Sequence, residues 1–338
     1  MNVPQTSLEY SHFPVMLNEV IKICSPEKGG NFVDCTFGGG GYSEELLKFP
    51  NTKVTALDRD NSAESRAKRI SEKYLNRFSF YNEKFSNLDK ILEGKDKADT
   101  IIFDLGTSLF QLMDLERGFS FNSKNRLDMN MGLSSISAEE ILNNFGEKSL
   151  KMIIKILGEE KESSKIVKNI LKVRKIERIS KVTQLVEIIK KSKKKNFSKK
   201  TNVCTKTFQA LRIFVNKEMT ELVEGIIKAT KFLKKDGKII VVSFHSLEDR
   251  IVKSYFKNYS ENNILPSRYL PEIKDKKIIF FKGKNNKLIR PSDTEIKKNP
   301  PSRSAKLRFA IRNKEDFIEP KNFKKKFVKY LNLEKLNA

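Results

Sequence analysis

Asp34-Cys35-Thr36-Phe37-Gly38-Gly39-Gly40-Gly41-Tyr42-Ser43 is the stretch that decides the fold. It overlaps the end of a short apolar run, Phe32 to Phe37, and leads into a helical pattern over Ser43 to Phe49. Open α/β sheets bind nucleotides where a first strand meets a first helix: glycine lets the backbone approach a ligand, and the helix N-terminus offers unpaired amide donors. Working outward, apolar runs recur at Lys53 to Leu57, Phe78 to Tyr81 and Ala98 to Leu105, with a helical pattern over Asn61 to Leu75. Strands and helices alternating at this spacing predict parallel pairing through right-handed crossovers.

The loop is specific in what it lacks. Counting from Gly38, the third glycine of a G-x-G-x-x-G fingerprint falls on Ser43, and no G-K-[ST] marks a phosphate loop. Asp58 follows Gly38 by 20 residues at the end of the second strand, where a carboxylate can accept hydrogen bonds from ribose hydroxyls. Asp104 closes the fourth strand in Phe103-Asp104-Leu105-Gly106. Asp34, Asp58 and Asp104 at three strand ends suit a ligand with ribose hydroxyls, an amino group and a positive charge, not a pyrophosphate. S-adenosylmethionine has that makeup and NAD does not.

After Asp114 the pattern turns helical, with apolar residues at three- and four-residue steps in Ser137 to Asn144, Lys148 to Leu157 and Glu159 to Lys172. The lysine-dense run Lys190 to Lys200 reads as a solvated, mobile surface loop. From Thr207 the alternation resumes with a helix whose Met219, Leu222, Val223, Ile226, Ile227 and Leu233 share a face, ended by Asp236-Gly237 with glycine as the left-handed cap. A fully apolar strand, Lys238 to Phe244, and an amphipathic helix, Leu247 to Asn258, follow. Late strands at Lys277 to Lys282 and Ala305 to Ile311 predict an antiparallel hairpin at the sheet edge. The division that results is a sheet domain over residues 1–113 and 206–338, with a basic C-terminal tail, interrupted by a helical insertion over 114–205.

At 338 residues the chain is long for one plain domain, since domains run to roughly 100 to 200 residues. With 38% hydrophobic and 32% charged residues it reads as a globular protein and not as a disordered one. Sixty-seven Lys and Arg against 42 Asp and Glu leave a net +25, which fits nucleic acid, an acidic membrane surface, or a bias toward Lys, Asn and Ile. Cys24, Cys35 and Cys204 are too scattered for a disulfide framework or a C-x-x-C metal site. No export signal and no apolar run of about 18 residues is present, so a cytoplasmic protein is expected.

Longer strings carry a resemblance: His12-x-Pro14-Val15-Met16-Leu17, Asp34-x-Thr36-Phe37-Gly38-x-Gly40-Gly41, Asp58-Arg59-Asp60, Asp104-Leu105-Gly106 and Glu116-Arg117-Gly118-Phe119-Ser120-Phe121. Leu127-Asp128-Met129, Thr207-Phe208-Gln209-Ala210-Leu211-Arg212-Ile213 and the run from Ser243-Phe244-His245-Ser246 to Lys253 complete them. Over nearly its whole length the chain resembles the bacterial small-subunit ribosomal RNA (cytosine-N(4)-)methyltransferase family. The resemblance implies a class I S-adenosylmethionine-dependent methyltransferase fold: a Rossmann-like, mostly parallel sheet with a helical insertion. It implies methylation of the exocyclic amine of one cytidine in the decoding region of the small subunit, and small-subunit ribosomal RNA or the subunit itself as partner. The oligomeric state stays open, a dimer among the options, and no metal is implied. Gly40, Gly41, Tyr42, Asp58, Phe85, Asp104 and Gln111 are the implied cofactor contacts. Three departures stand out: Tyr42 replaces the family's histidine, Thr107-Ser108-Leu109-Phe110 its Val-Ser-Ser-Pro, and Asn130 the arginine of Asp-Met-Arg-Met-Asp.

A cytosine amine is conjugated with its ring and a poor nucleophile, so acceptors for its hydrogens help the lone pair develop. Many amino-methyltransferases place Asp/Asn-Pro-Pro-aromatic after the fourth strand for this. Asp104-Leu105-Gly106-Thr107 stands there instead, making Asp104 or a nearby carbonyl the expected substitute. His245 reads either as a general base or as a structural histidine or RNA contact. Phe119, Phe121 and Phe244 are candidate base platforms or core, and Arg117, Arg126 and Arg250 candidate phosphate contacts or partners of neighbouring acids. The insertion and its lysine run are the expected RNA-facing additions. An RNA-binding protein without catalysis, and a methyltransferase of protein or small molecules, are the competing classes.

Overall fold

Side chains alternate across the strands so that both faces of the sheet are apolar. The computed structural model describes residues 14–193, 202–261, 278–283 and 287–337. The strands are β1 (Gly30–Asp34), β2 (Thr52–Asp58), β3 (Phe78–Asn82), β4 (Ala98–Asp104), β5 (Leu233–Ser243) and β6 (Lys306–Ile311). In β4 and β5, Ile101, Phe103, Ile239 and Val241 face one core, and Ile102, Ile240 and Val242 the other. A sheet buried on both faces reads as continuous apolar sequence, as in the run Ile239 to Val242 of β5.

The strand order is β3-β2-β1-β4-β5-β6, parallel except for β6, which runs antiparallel to β5 from Ser243↔Lys306 to Lys238↔Ile311. Helices α1 (Leu17–Cys24), α2 (Gly41–Leu47) and α3 (Glu64–Lys73) cover one face. Helices α4 (Leu88–Leu92), α11 (Glu218–Phe232) and α12 (Ser246–Asn258) cover the other. Order reverses between β1 and β4, so the loops after these strands part there, at the topological switch point where doubly wound sheets bind ligands.

Between β4 and β5 lie α5 (Leu109–Met113), α6 (Ala138–Asn144), α7 (Glu147–Leu157), α8 (Ser163–Arg174), α9 (Val182–Ser192) and α10 (Thr205–Asn216). Among the described residues of this stretch no strand occurs, and Arg126 and Lys181 form one isolated bridge. Its apolar stripes, such as Leu150, Ile153, Ile154 and Leu157 of α7, merge with the core of the α11 face. Phe145 sets its ring edge-on to Phe214 of α10, 5.4 Å between centroids. After β6 come α14 (Lys321–Lys326) and α15 (Val328–Leu333), whose following Glu334 accepts from Met219 N, Thr220 N and Thr220 Oγ1 at the start of α11.

Several sequence expectations need correction. The expected helix from Thr207 is two, broken at Lys217, which adopts φ 51°. α11 ends at Phe232, and the left-handed residue beyond it is Asp236 (φ 64°), not Gly237. Gly237 is needed for closeness instead: a Cβ there would lie 2.9 Å from the Lys234 carbonyl oxygen and 3.1 Å from that of Ala98. The described residues of the expected strand at Lys277 to Lys282 form no strand. Phe281 makes only isolated bridges to Ser260 and Arg312, while Phe280 and Phe281 sink into an aromatic cluster with Tyr255 and Phe323. The antiparallel edge therefore rests on β5 and β6. In the lysine run, Lys193 is not solvated, because it forms a buried pair with Glu160. Lys194 to Lys200, like His12 and Lys277, lie outside the described residues.

The edge-on Phe145–Phe214 contact belongs to the continuous core that joins the helices between β4 and β5 to the sheet. Phe145→Ala should lower unfolding stability by about 3 to 5 kcal/mol, read as a lower urea midpoint at unchanged slope. A loss below about 1 kcal/mol would mean that the site collapses freely and carries little of the packing.

Candidate functional site

A cavity of about 410 Å³ opens at the β1–β4 switch point, within the range of small-molecule sites. Its floor is the glycine loop, and three acidic strand ends lie beneath or beside it. Asp34 is fully buried and takes the Ser43 hydroxyl (2.7 Å) and the Thr36 amide (3.2 Å). Contrary to expectation it braces the loop from below and does not line the cavity. Burial pushes its carboxyl up to about 6, against the hydrogen bonds from Ser43 and Thr36.

Asp58 does line the cavity. One oxygen accepts the Gly38 amide (2.7 Å) and the other the Asp60 amide (2.8 Å), so one carboxylate joins the loops after β1 and β2. Burial raises its pKa, opposed by these two amides. Asp60 in turn accepts from Gln111 Nε2 (2.7 Å) and Arg117 Nη1 (2.6 Å); burial works against its charge, but these donors hold its carboxyl below the usual range. Gln111 also accepts the Ser108 amide in a capping box at α5. Gln111 thus reaches the cavity wall with its carboxamide already engaged in fastening the loop after β4.

Asp104 is the least satisfied group. Its amide donates to Thr36 Oγ1 (2.6 Å), while its buried Oδ1 has no partner among the described residues. Burial first, then the charges of Asp34 and Glu248, push its carboxyl well above the ordinary carboxylate range. A buried acid in that condition is suited to receive a cation. Tyr42 lines the same wall, its hydroxyl donating to the Val15 carbonyl. Gly41 sits against Pro14, where a Cβ would come within 2.1 Å of Cγ. Gly40 is absent from the lining, its Cα turned to Ile70 and Phe37 and its amide donating to the Phe37 carbonyl.

Phe85 stands on the opposite side, edge-on to Phe103 at 5.3 Å and seated on Gly225 of α11, where a Cβ would lie 2.5 Å from the ring. Of the candidate platforms, Phe244 alone lines the cavity; Phe119 is buried and Phe121 packs edge-on to Phe208. The candidate phosphate arginines all face carboxylates: Arg117 with Asp60, Arg126 with Glu139, and Arg250 with Glu159.

His245 does not line the cavity. It caps α12: its Nδ1 accepts the Glu248 amide (3.4 Å), and Glu248 Oε2 accepts the amides of Phe244 (2.8 Å) and His245 (3.2 Å). With the ring turned to the helix start, the structure offers it no proton to abstract in the cavity. Glu218, His245 and Glu248 converge as potential metal ligands, yet Glu218 is already gripped by both prongs of Arg212 (2.7 and 2.8 Å).

Spacing did not foretell the outer wall: Glu221 and Leu222 of α11, Pro14 and Val15, and Lys298 to Pro301 at the end of α13 (Asp293–Lys298). Because β6 runs antiparallel, the segment before it, not after it, reaches the mouth of the cavity. Glu295 of α13 accepts the Met16 amide (2.6 Å), fastening that segment to the start of α1.

A family model described as the MraW methylase family matches residues 9–313. The ribosomal RNA small subunit methyltransferase H of Rickettsia bellii is 45% identical over 305 residues, covering 90% of this chain and 99% of the relative. The protein of the same name from Rickettsia canadensis is 44% identical over 308 residues, covering 90% and 98%. Among solved structures, an rRNA methylase from Streptococcus thermophilus aligns with 87% of this chain and 95% of its own at 11% identity, with a TM-score of 0.38.

The buried carboxyl under the glycine loop makes stability depend on pH. The folded pKa of Asp34, about 6, lies above the unfolded value, so its favourable contribution is complete below about pH 4 and is lost as pH rises through 6. Asp34→Asn removes that loss. Between pH 4 and pH 7 the unfolding free energy of the variant should gain on the parent by roughly 3 kcal/mol at most. A difference that stays flat in paired denaturation curves would assign Asp34 an ordinary pKa.

Proposed function

The chain belongs to the MraW methylase family, and from that premise we propose that it transfers a methyl group from S-adenosylmethionine to N(4) of a cytidine in small-subunit ribosomal RNA. The observation that carries the reading is the chemistry of the switch-point cavity. Asp58 at the second strand end suits a ribose, Phe85 an adenine ring, and the partnerless Oδ1 of Asp104 an ammonium or sulfonium. A pyrophosphate would meet two carboxylates there. S-adenosylmethionine supplies, when bound, an electrophilic methyl on a positively charged sulfur.

The chain's own residues then bind, orient and enclose. Asp58 holds Gly38 in place while facing the ribose; Gly41 and Gly39 admit the backbone closely, and Asp104 offsets positive charge in the inner wall. Orientation supplies most of the rate, because a conjugated amine reacts only when its lone pair is in line with the methyl carbon. Phe244, on the same cavity and packed on Gly106, suits a base extruded from its stack. The segment 114–205, with α6 to α9, is proposed as the RNA-facing part, since a bare sheet offers too little surface to select one nucleotide. The net +25 strengthens phosphate contact in a salt-dependent way and carries no selection of its own. Among the described residues no helix is long and apolar enough to cross a membrane.

Incubating the protein with labelled S-adenosylmethionine and unmodified small subunits, followed by nucleoside analysis, should yield N(4)-methylcytidine. Another methylated nucleoside, or label on protein alone, would overturn the reading. In calorimetric titration with S-adenosylhomocysteine, Asp104→Asn and Asp58→Ala should each weaken binding at least about tenfold, or ~1.4 kcal/mol. Asp58→Ala should also lower the melting temperature, because the Gly38 and Asp60 amides lose their acceptor. Unchanged affinity in both variants would remove the proposed cofactor pose.

A further inference from the structure

The first turn of α11 has no cap of its own. Lys217, the residue before it, is left-handed and offers no side-chain acceptor, and the opening amides of a helix have no partner within it. Glu334 supplies the acceptor from 115 residues away in sequence. Its Oε1 takes the Met219 amide (2.9 Å), and its Oε2 takes the Thr220 amide (2.8 Å) and hydroxyl (2.6 Å). Glu334 is buried, so these contacts are shielded from water.

The turn that Glu334 caps is a wall of the cavity, lined there by Glu218, Glu221 and Leu222. The Glu221 carboxylate accepts the Ser86 amide (3.3 Å). Ser86 follows Phe85, the ring assigned above to the adenine and seated on Gly225, one turn further along α11. Glu334 does not line the cavity itself; it stands behind the wall that does.

Glu334 ends a segment with further holds on the same helices. Lys324 of α14 pairs with Glu224 of α11 (2.9 Å), Phe323 sets its ring edge-on to Tyr255 of α12 (4.8 Å between centroids), and Tyr330 of α15 accepts from Arg250 (2.8 Å). The match to the family model stops at residue 313, before this segment begins.

Resting on the methyltransferase reading above, we propose that Glu334 is a positioning residue for the cofactor. By capping α11 it holds Glu221 and, through Ser86, the Phe85 ring in place for the adenine, so that docking of residues 320–334 and cofactor binding favour one another. The coupling is reciprocal: the factor by which the docked segment strengthens cofactor binding is the factor by which bound cofactor strengthens docking. The glycine loop and Asp104 follow or end β1 and β4 and do not depend on this cap, so the effect falls on binding and not on methyl transfer.

The test measures Glu334→Ala beside the parent, at a temperature where circular dichroism shows both folded. S-adenosylhomocysteine affinity should fall about tenfold, the size of a lost helix cap, and KM for S-adenosylmethionine should rise as much, while kcat on small subunits stays within about threefold. In the parent, saturating S-adenosylhomocysteine should slow exchange of the Leu331 and Glu334 amides, which bond within the docked segment, by up to about tenfold. The slowing should exceed that in α9, none of whose residues lines the cavity. Unchanged affinity in the variant, a fall in kcat as large as the rise in KM, or exchange in α15 that responds no more than exchange in α9 would each overturn the proposal. Should the variant not fold, the exchange measurement on the parent decides alone. A parent that binds no S-adenosylhomocysteine would instead overturn the reading on which the proposal rests.

Discussion

One carboxylate, that of Asp58, makes three loops behave as a single cup. It accepts the Gly38 amide from the loop after β1 and the Asp60 amide from its own, and Asp60 passes the constraint to Gln111 and Arg117 beyond β4. Arg117 also donates to the Asn130 carbonyl, which brings in the segment leading to α6. Loops at a switch point diverge because their strands lead to opposite sides of the sheet. Tying them with charge-assisted hydrogen bonds gives the cavity a fixed floor without filling it.

A second joint, at Asn216, couples the cup to the helices. Its oxygen accepts Met131 N (2.9 Å) and Ser134 Oγ (3.0 Å), and its amide donates to the carbonyls of Met129 (2.8 Å) and Arg212 (2.9 Å). Arg59, adjoining Asp58, donates to the Asn216 carbonyl and to Ser134. Gly132 lies so close that a Cβ would come within 2.2 Å of the Arg59 carbonyl oxygen. Here the family's aspartate is glycine, and the close contact is the physical reason a side chain would strain this joint. Asn130, in place of arginine, closes a local turn, accepting Gly132 N and donating to the Ser134 carbonyl.

Polar and basic character divide by location. The chain carries a net +25, whereas the cavity lining gathers Asp58, Asp104, Glu218, Glu221 and Glu248 against Arg59, Lys84 and Lys298. Acids outnumber bases in the cavity wall of a basic chain, a balance that favours a cation there.

The sequence by itself determined the six strands of the sheet and the glycine loop after the first of them, because period-two and unbroken apolar runs, glycine and strand-end acids are local signals. Asp58 and Asp104 were legible this way as groups of the cavity wall, and the family resemblance added Gly41, Tyr42, Phe85 and Gln111. Only the tertiary structure decided which way each group faces. Asp34 and Asp58 look alike in sequence, yet one lies under the loop and the other lines the cavity. Gly40 and Gly41 are neighbours, yet one turns to Ile70 and the other to Pro14. Spacing also could not place Lys298 to Pro301 at the cavity, because their approach depends on the reversed direction of β6, and a strand's direction is set by its long-range partner and not by its own residues.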